Sequence, residues 1–390
     1  MSELSLMELQ ELASGLGFDA VGVTTAAPFP ELVGRLRAYQ ERGRTGFEHE
    51  HIPSRINPKA WLPEARSIIS VAMAYLTSAG RQTARRHPVG QLAGSVSVYA
   101  YGQDYHTVMA KRLRTLQIRI EQRLGRTIQA RIAIDTSPLV DRRVAERAGI
   151  GWLGKNCMLY TPKHGSFVFL GALLVDVEIE SSPEEQPSRC GECTRCLQAC
   201  PTGALIAPGV IDATRCLSYV TQMKGMIPLE FRAALGKRVW GCDTCQWACP
   251  ENTSIEPAEH EEYLPMGELS YPALLEILEL SNREFQRRYG ASAAAWRGLR
   301  TWQRNALIAL GNTKNTAAIP HIIPFLRHSR WELRASAAWA LNRFASDEAA
   351  AAVRAAVEQE TDSNVMNEMQ WAVELSKLKQ GDVVGDAKEQ

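Results

Sequence analysis

"CGECTRCLQACP", residues 190–201, places four cysteines within eleven residues and closes on a proline. The spacing is C-x2-C-x2-C-x3-C-P. In two-cluster ferredoxins the first three thiolates of such a run hold one cubane and the fourth crosses to the other. A second stretch, "GCDTCQWACP" at 241–250, repeats C-x2-C-x3-C-P and lacks only the leading cysteine. Cys216 stands between the two and can take that place, with a 25-residue insertion before Cys242. The spacing therefore assigns Cys190, Cys193, Cys196 and Cys249 to one [4Fe–4S] cluster. Cys200, Cys216, Cys242 and Cys245 fall to a second. Thiolates suit iron–sulfur centres, and eight of them match two cubanes. Zinc could use such spacings but would leave the C-x3-C-P endings without a reason. A pair of clusters with a purely structural role is the other alternative. Two neighbouring cubanes make an electron wire, and a wire implies an acceptor. Cys157, in "GWLGKNCMLY", is left over, either as packing or beside that acceptor.

The chain of 390 residues is long enough for two or three domains, and 45% hydrophobic residues can supply their cores. Nine cysteines crowded into a chain of this size do not fit a small secreted disulfide scaffold. The N-terminus "MSELSLMELQ" lacks a basic region followed by an apolar run, and no stretch approaches the roughly 20 apolar residues of a membrane span. A cytoplasmic chain with no membrane partner is expected. A formal net charge of +1 excludes a globally basic nucleic-acid binder, so any such partner needs a local patch.

Apolar periodicity divides the rest into an α+β multidomain chain. Residues 1–180 read as an α/β domain: helix at 3–17, strand "DAVGVTT", a helix ending at Gly43, strand candidates at 66–75 and 94–102, a long helix at 104–125, then strand, loop and helix through 149 and a strand at 166–177. "EIESSPEEQPS" is a polar, proline-containing linker. The cysteine-rich, ferredoxin-like domain occupies 181–255. Residues 256–380 are helical, and "IAL" at 308–310 overlays "WAL" at 339–341 with a period of 31, the grammar of HEAT-like repeats. Residues 381–390 form a polar tail.

Asp135 ends the apolar run "ARIAIDTSP". Ligands gather at strand ends in open parallel sheets, and an aspartate beside an apolar cofactor would have its pKa raised and could act as an acid. Its other role would be to cap the turn through Thr136 and Ser137. Two basic stretches could meet phosphates or merely be solvated. One carries Lys111, Arg112, Arg114, Arg119, Arg123 and Arg126. The other carries Arg297, Arg300, Arg304, Lys314, Arg327, Arg330 and Arg334 on the helical repeats.

Several longer motifs then fall in one order: "RINP" at 55–58, "YGQDYH" at 101–106, "IDTSPLVDRRVAERAGIGWLGKN" at 134–156, "RCLSY" at 215–219 and both cysteine runs. Over about residues 1–350 the chain resembles the epoxyqueuosine reductases, cobalamin-dependent iron–sulfur enzymes of tRNA modification. The resemblance implies reduction of epoxyqueuosine to queuosine at the wobble position (34) of the tRNAs for Asp, Asn, His and Tyr. It implies a cobalamin, cob(II)alamin cycling to reduced cobalt, held without a protein histidine below the metal, and two [4Fe–4S] clusters feeding it. Asp135 matches the family's proposed proton donor. Gly151, Gly154, Lys155 and Asn156 match its cofactor loop. Arg55, Asn57, Tyr101, Asp104, His106, Ser137, Arg143, Trp152 and Cys157 are expected around the same pocket. Gln222, Lys224, Gly225, Arg297, Arg304, Arg327 and Arg334 are expected to face the tRNA anticodon stem-loop. A low-potential donor such as flavodoxin or ferredoxin, and a monomeric state, complete the expectation. Two departures stand out: Gln222 and Met223 replace an expected acidic position, and Glu251 replaces a tryptophan after the second Cys–Pro. A related dehalogenase-like cobalamin reductase and a ferredoxin-type electron carrier are the rival readings.

Overall fold

The run SIISVAMA at 67–74 is buried along its whole length, so it must be covered on both faces. It belongs to a four-stranded sheet of Ala20–Thr25 (β1), Ser67–Ala74 (β2), Ala130–Ala133 (β3) and Val168–Val175 (β4), ordered β1-β2-β4-β3. All three pairings are antiparallel, with Ile69 opposite Val23 on one side and Leu173 on the other. Parallel-sheet logic therefore does not place Asp135; it follows β3 in an antiparallel sheet, and its position comes from the loop described below. The computed structural model describes residues 2–370 except 87, 89–91 and 184–185. The expected tail at 381–390 lies outside the described residues.

Period-two alternation sorts the strand side chains. Ile68, Ala72, Ala74 and Leu174 face Val144 and Ala145 of the helix Asp141–Arg147. On the opposite face the helix Tyr105–Leu124 lays Met109 and Leu113 over Gly171, where a β-carbon would stand 2.9 Å from Met109 Cε. A larger residue at 171 would make the ends of these two side chains give way. The helix starts at Asp104, whose side chain accepts from the His106 N–H, and ends at Gly125 in the left-handed conformation.

This long helix carries the first basic stretch, and four of its six cations have partners within the fold. Arg112 pairs with Glu262 at 2.7 Å, Arg123 with Glu8, and Arg126 with Glu3 and Asp176. Arg119 donates to the carbonyls of Leu12 and Ser14. These four arginines tie the N-terminal helix Leu6–Ala13 and neighbouring segments to it, while Lys111 and Arg114 of the same stretch are exposed.

The chain folds into two compact units, each discontinuous in sequence. The first comprises Met1–Arg85, Val98–Cys216 and Asp243–Pro265; the second comprises Arg86–Ser97, Leu217–Cys242 and Met266–Gln390. The second unit contains the helices Leu299–Thr313 and Trp331–Asn342, whose starts lie one repeat apart. At their crossing a β-carbon on Gly311 would lie 2.8 Å from Ala340 Cα, so Gly311, directly after "IAL", and Ala340 of "WAL" set a close helix–helix approach. The expected strand at 94–102 shrinks to Ser95–Val96, paired in parallel with Arg238–Trp240. Among the described residues no helix is long and apolar enough to cross a membrane.

Candidate active site and cluster cavity

Within the first unit, Cys190, Cys193, Cys196 and Cys249 line one cavity of about 40 Å³. The other lining residues are Lys155, Asn156, Tyr160, Arg189, Pro250 and Glu251. Three of these cysteines come from one short run and the fourth from 53 residues beyond Cys196, as the crossover spacing demands. Burial pushes the thiols of Cys196 and Cys249 up, and repulsion from neighbouring thiolates adds to it. Clustered thiols that resist ionisation together are relieved by a cation, so this donor set fits a metal cluster. At Cys200 burial also raises the pKa, but hydrogen bonds from the Thr202, Leu205 and Ala204 backbone and the Thr202 hydroxyl outweigh it and leave the thiol below its ordinary range.

The second cysteine run is anchored by polar groups rather than apolar ones. In the short helix Thr244–Trp247, Gln246 Oε1 accepts from Ser166 Oγ at 2.9 Å and from the Tyr75 hydroxyl at 3.4 Å. Asn252 Nδ2 donates to Ser166 Oγ and to the Gln246 carbonyl, and its Oδ1 accepts from the Ser166 N–H. Each buried polar group is satisfied, so this network fixes Cys249 against the loop before β4. Nothing in the residue spacing announces it; Gln246 and Asn252 simply flank the motif.

The glycine-rich loop after the Asp141 helix serves the same cavity. Lys155 donates its backbone N–H to Cys190 Sγ at 3.4 Å and its ammonium to the Gly191 carbonyl. Asn156 Nδ2 donates to the Tyr160 hydroxyl at 2.8 Å, and Tyr160 in turn bonds Cys249. The two glycines have a packing reason. A β-carbon on Gly151 would stand 1.9 Å from the Tyr160 carbonyl oxygen, and one on Gly154 would stand 2.5 Å from the Tyr160 ring. Trp152 stacks on Tyr160 under the Arg189 guanidinium, its indole N–H buried without a partner. Gly151, Trp152, Gly154, Lys155 and Asn156 thus assemble around Tyr160 and the sulfur cavity, a reason for these residue types other than cofactor-loop contact.

Asp135 lies elsewhere in the unit, with φ 56°, a left-handed conformation that an aspartate holds only at a cost of about 1 kcal/mol. The Tyr105 hydroxyl donates to its Oδ2 at 2.8 Å, and His106 Nε2 stands 3.9 Å from the same oxygen. Tyr105 stacks flat on Phe169 at 4.2 Å. His106 Nδ1 pairs with Asp104 at 2.8 Å; burial lowers the pKa of the imidazole, but that bond and the charges of Asp104 and Asp135 outweigh it and leave the pKa raised. His106 Nε2 and Arg55 Nη1 are buried without hydrogen-bond partners. An unpartnered guanidinium donor, and an unpartnered ring nitrogen on a histidine stacked against Tyr105, suit a large flat ring fringed with amides, which is what a corrin presents.

The other expected residues have structural partners. Asn57 caps the turn Pro58–Ala60, Tyr101 is buried, Ser137 Oγ accepts from the Leu139 N–H, and Arg143 pairs with Glu146 at 2.5 Å. Cys157 also has positive φ, its carbonyl accepting from Arg142. Asp141, which the motif reading passed over, is half-buried, accepts the Asp135 N–H at 3.2 Å and has its pKa raised to about 7, chiefly by loss of solvent around the carboxyl. Its only sequence signal is its position six residues after Asp135.

In the second unit the expected tRNA residues divide. Lys224 and Arg327 are exposed. Gln222 Oε1 accepts from the Trp296 indole at 3.0 Å, and the Arg297 guanidinium covers the Trp296 ring at 3.9 Å. Gly225 has φ 75° beside Trp331. Arg334 is held by Glu360 at 2.6 Å. Arg304 corrects the expectation outright. It is 2% exposed and donates to the carbonyls of Val220, Thr221, Met223 and Gly225, so it cannot reach a phosphate.

Comparison with known proteins decides the family. The model described as Epoxyqueuosine reductase QueG, DUF1730, matches residues 55–136; a 4Fe-4S double cluster binding domain matches 189–252 and HEAT repeats match 300–374. An epoxyqueuosine reductase of Bacillus cereus is 40% identical over 364 residues, covering 92% of this chain and 94% of its own length. The chain belongs to the epoxyqueuosine reductase family. A Bacillus subtilis epoxyqueuosine reductase is 39% identical over 373 residues, 95% of each chain. Among solved structures, an epoxyqueuosine reductase with an epoxyqueuosine-modified tRNA-Tyr stem loop superposes with a TM-score of 0.90 at 38% identity, covering 95% of this chain and 98% of the other. A Bacillus subtilis epoxyqueuosine reductase solved with its catalytic aspartate loop swung out of the active site gives 0.89 at 37% identity, with the same coverage.

Proposed function

We propose that this chain reduces epoxyqueuosine to queuosine in tRNA, at the wobble position. The observation that carries this is the near full-length likeness to a family member bound to an epoxyqueuosine-modified stem loop. The chain uses cobalamin and two [4Fe–4S] clusters. Cys190, Cys193, Cys196 and Cys249 hold one cluster, supported by their common cavity. Cys200, Cys216, Cys242 and Cys245 hold the other, supported by their spacing.

Converting the epoxide to the alkene consumes two electrons and two protons and releases water. Cobalamin, when bound, supplies the electrons that side chains cannot. Arg55 and His106 are the residues with polar atoms to spare for its rim. Asp135 protonates the departing oxygen. Its Oδ2 is engaged by the Tyr105 hydroxyl, which leaves Oδ1 to carry the transferable proton, and its side chain is open to an incoming base. Bringing the modified base to this aspartate requires unstacking it from the anticodon loop. Lys224 and Arg327 supply charge for the tRNA backbone. A low-potential flavodoxin or ferredoxin in the cytoplasm feeds the clusters of a monomeric enzyme.

The test is anaerobic purification with iron, sulfide and cobalt counts, followed by turnover of epoxyqueuosine tRNA by the native chain and Asp135→Asn. Two cubanes, one cobalt and a loss of turnover in the variant are expected. A sample that takes up cofactors but leaves the epoxide intact would refute the assignment.

A further inference from the structure

We propose that Asp141 is a positioning residue that latches the Asp135 loop in its active geometry by accepting the Asp135 backbone N–H. Its relevance to turnover rests on Asp135 being the acid.

Three observations converge. Asp135 sits at φ 56°, a conformation that must be imposed by surrounding contacts because the residue itself disfavours it. One hydrogen bond to its backbone comes from a side chain: its N–H donates to Asp141 Oδ2 at 3.2 Å. Asp141 is half-buried, with its Oδ1 shut off from solvent and without a hydrogen-bond partner. A carboxyl oxygen kept from water with no donor is destabilising, so its place here calls for a compensating contact. The bond to Asp135 is the contact it makes across the loop. The remaining restraints act on other atoms. Tyr105 holds the Asp135 carboxylate, and His49 Nε2 meets the Thr136 carbonyl at 3.2 Å. Asp141 thus closes a six-residue loop through the main chain, whereas Tyr105 orients its side chain.

Substitutions separate the latch from the charge. Asp141→Asn keeps an acceptor oxygen in place and removes ionisation. Asp141→Ala removes the acceptor, and Asp141→Leu removes it while keeping the volume should the alanine variant fail to fold. Hydrogen exchange at the Asp135 amide, measured on the chain without substrate, reads the latch directly. Protection is expected to fall at least tenfold in Asp141→Ala or Asp141→Leu and to stay within about threefold of native in Asp141→Asn. On epoxyqueuosine tRNA, kcat is expected to fall tenfold or more in the apolar variants with KM within about twofold, and to be restored by asparagine. Unchanged protection in the apolar variants, or an asparagine variant as exposed as they are, overturns the latch. Asp135→Asn, measured alongside, tests the acid separately: retained turnover there with lost protection in Asp141→Ala keeps the latch and removes the acid.

Discussion

Replacing Arg304 by methionine tests how the helical unit shapes its surface. The guanidinium is buried inside that unit and donates to the carbonyls of Met223 at 2.6 Å, Gly225 at 2.7 Å, Thr221 at 3.2 Å and Val220 at 3.3 Å. Hydrogen bonds from a charged donor contribute about 1.5–3 kcal/mol, and the two long ones less, so the cage is worth roughly 7 kcal/mol. Against this stands desolvation, which pulls the Arg304 pKa down to about 10. A fall of about 2.5 units corresponds to roughly 3 kcal/mol held against the charged form. Methionine keeps the volume and removes both effects, for a net loss of about 4 kcal/mol. Urea unfolding reads that loss, and hydrogen exchange should show residues 220–225 opening first. That segment carries Gln222 and Lys224, so tRNA affinity should fall as well. The slope of affinity against salt should stay unchanged, because no phosphate contact is removed. Lys224→Ala should instead flatten the slope by about 0.7–0.9, one phosphate's worth. An Arg304→Met protein as stable as the native chain, with a flattened salt slope, would refute the internal role and restore Arg304 to the surface.

Asp141→Asn should change stability with pH. The folded-state pKa of about 7 lies above the ordinary 3.8, so the acid form stabilises the fold fully below about pH 4 and that contribution is lost as pH rises through 7. Relative to asparagine, the native chain should therefore lose up to roughly 4 kcal/mol between pH 4 and 8; parallel curves would contradict a desolvated acid. Gly151→Ala should cost about 1–3 kcal/mol and lower iron content, since its β-carbon would meet the Tyr160 carbonyl, and backbone cannot yield as a side chain can. An unperturbed iron count and melting curve would show the hairpin to be more pliable than this. Cys249→Ser should remove about half of the iron, as should Cys245→Ser, and the two losses should leave different cluster signals in electron paramagnetic resonance. Identical residual spectra would break the crossover assignment.

Much of this site is local in sequence and therefore readable there. Thiol spacing in 190–201 and 242–250 is imposed by a few residues of backbone, so the ligand chemistry is visible without a fold. The same holds for the long helix between Asp104 and Gly125 and for the period that brings Gly311 against Ala340. What spacing cannot carry is burial of charge. An arginine among other basic residues reads as surface, yet Arg304 is enclosed by carbonyls that arrive from about 80 residues away, and Arg112, Arg123 and Arg126 pair with acidic partners 115 to 150 residues away. Asp141 reads as an ordinary helix start, and only the packing of the loop against the sheet turns it into a desolvated acid holding Asp135. The antiparallel order β1-β2-β4-β3 likewise rests on pairings between strands separated by 35 residues or more. Short-range geometry is fixed by covalent spacing; which groups are dry, and which charges meet, depends on contacts that exist only once the chain has closed on itself.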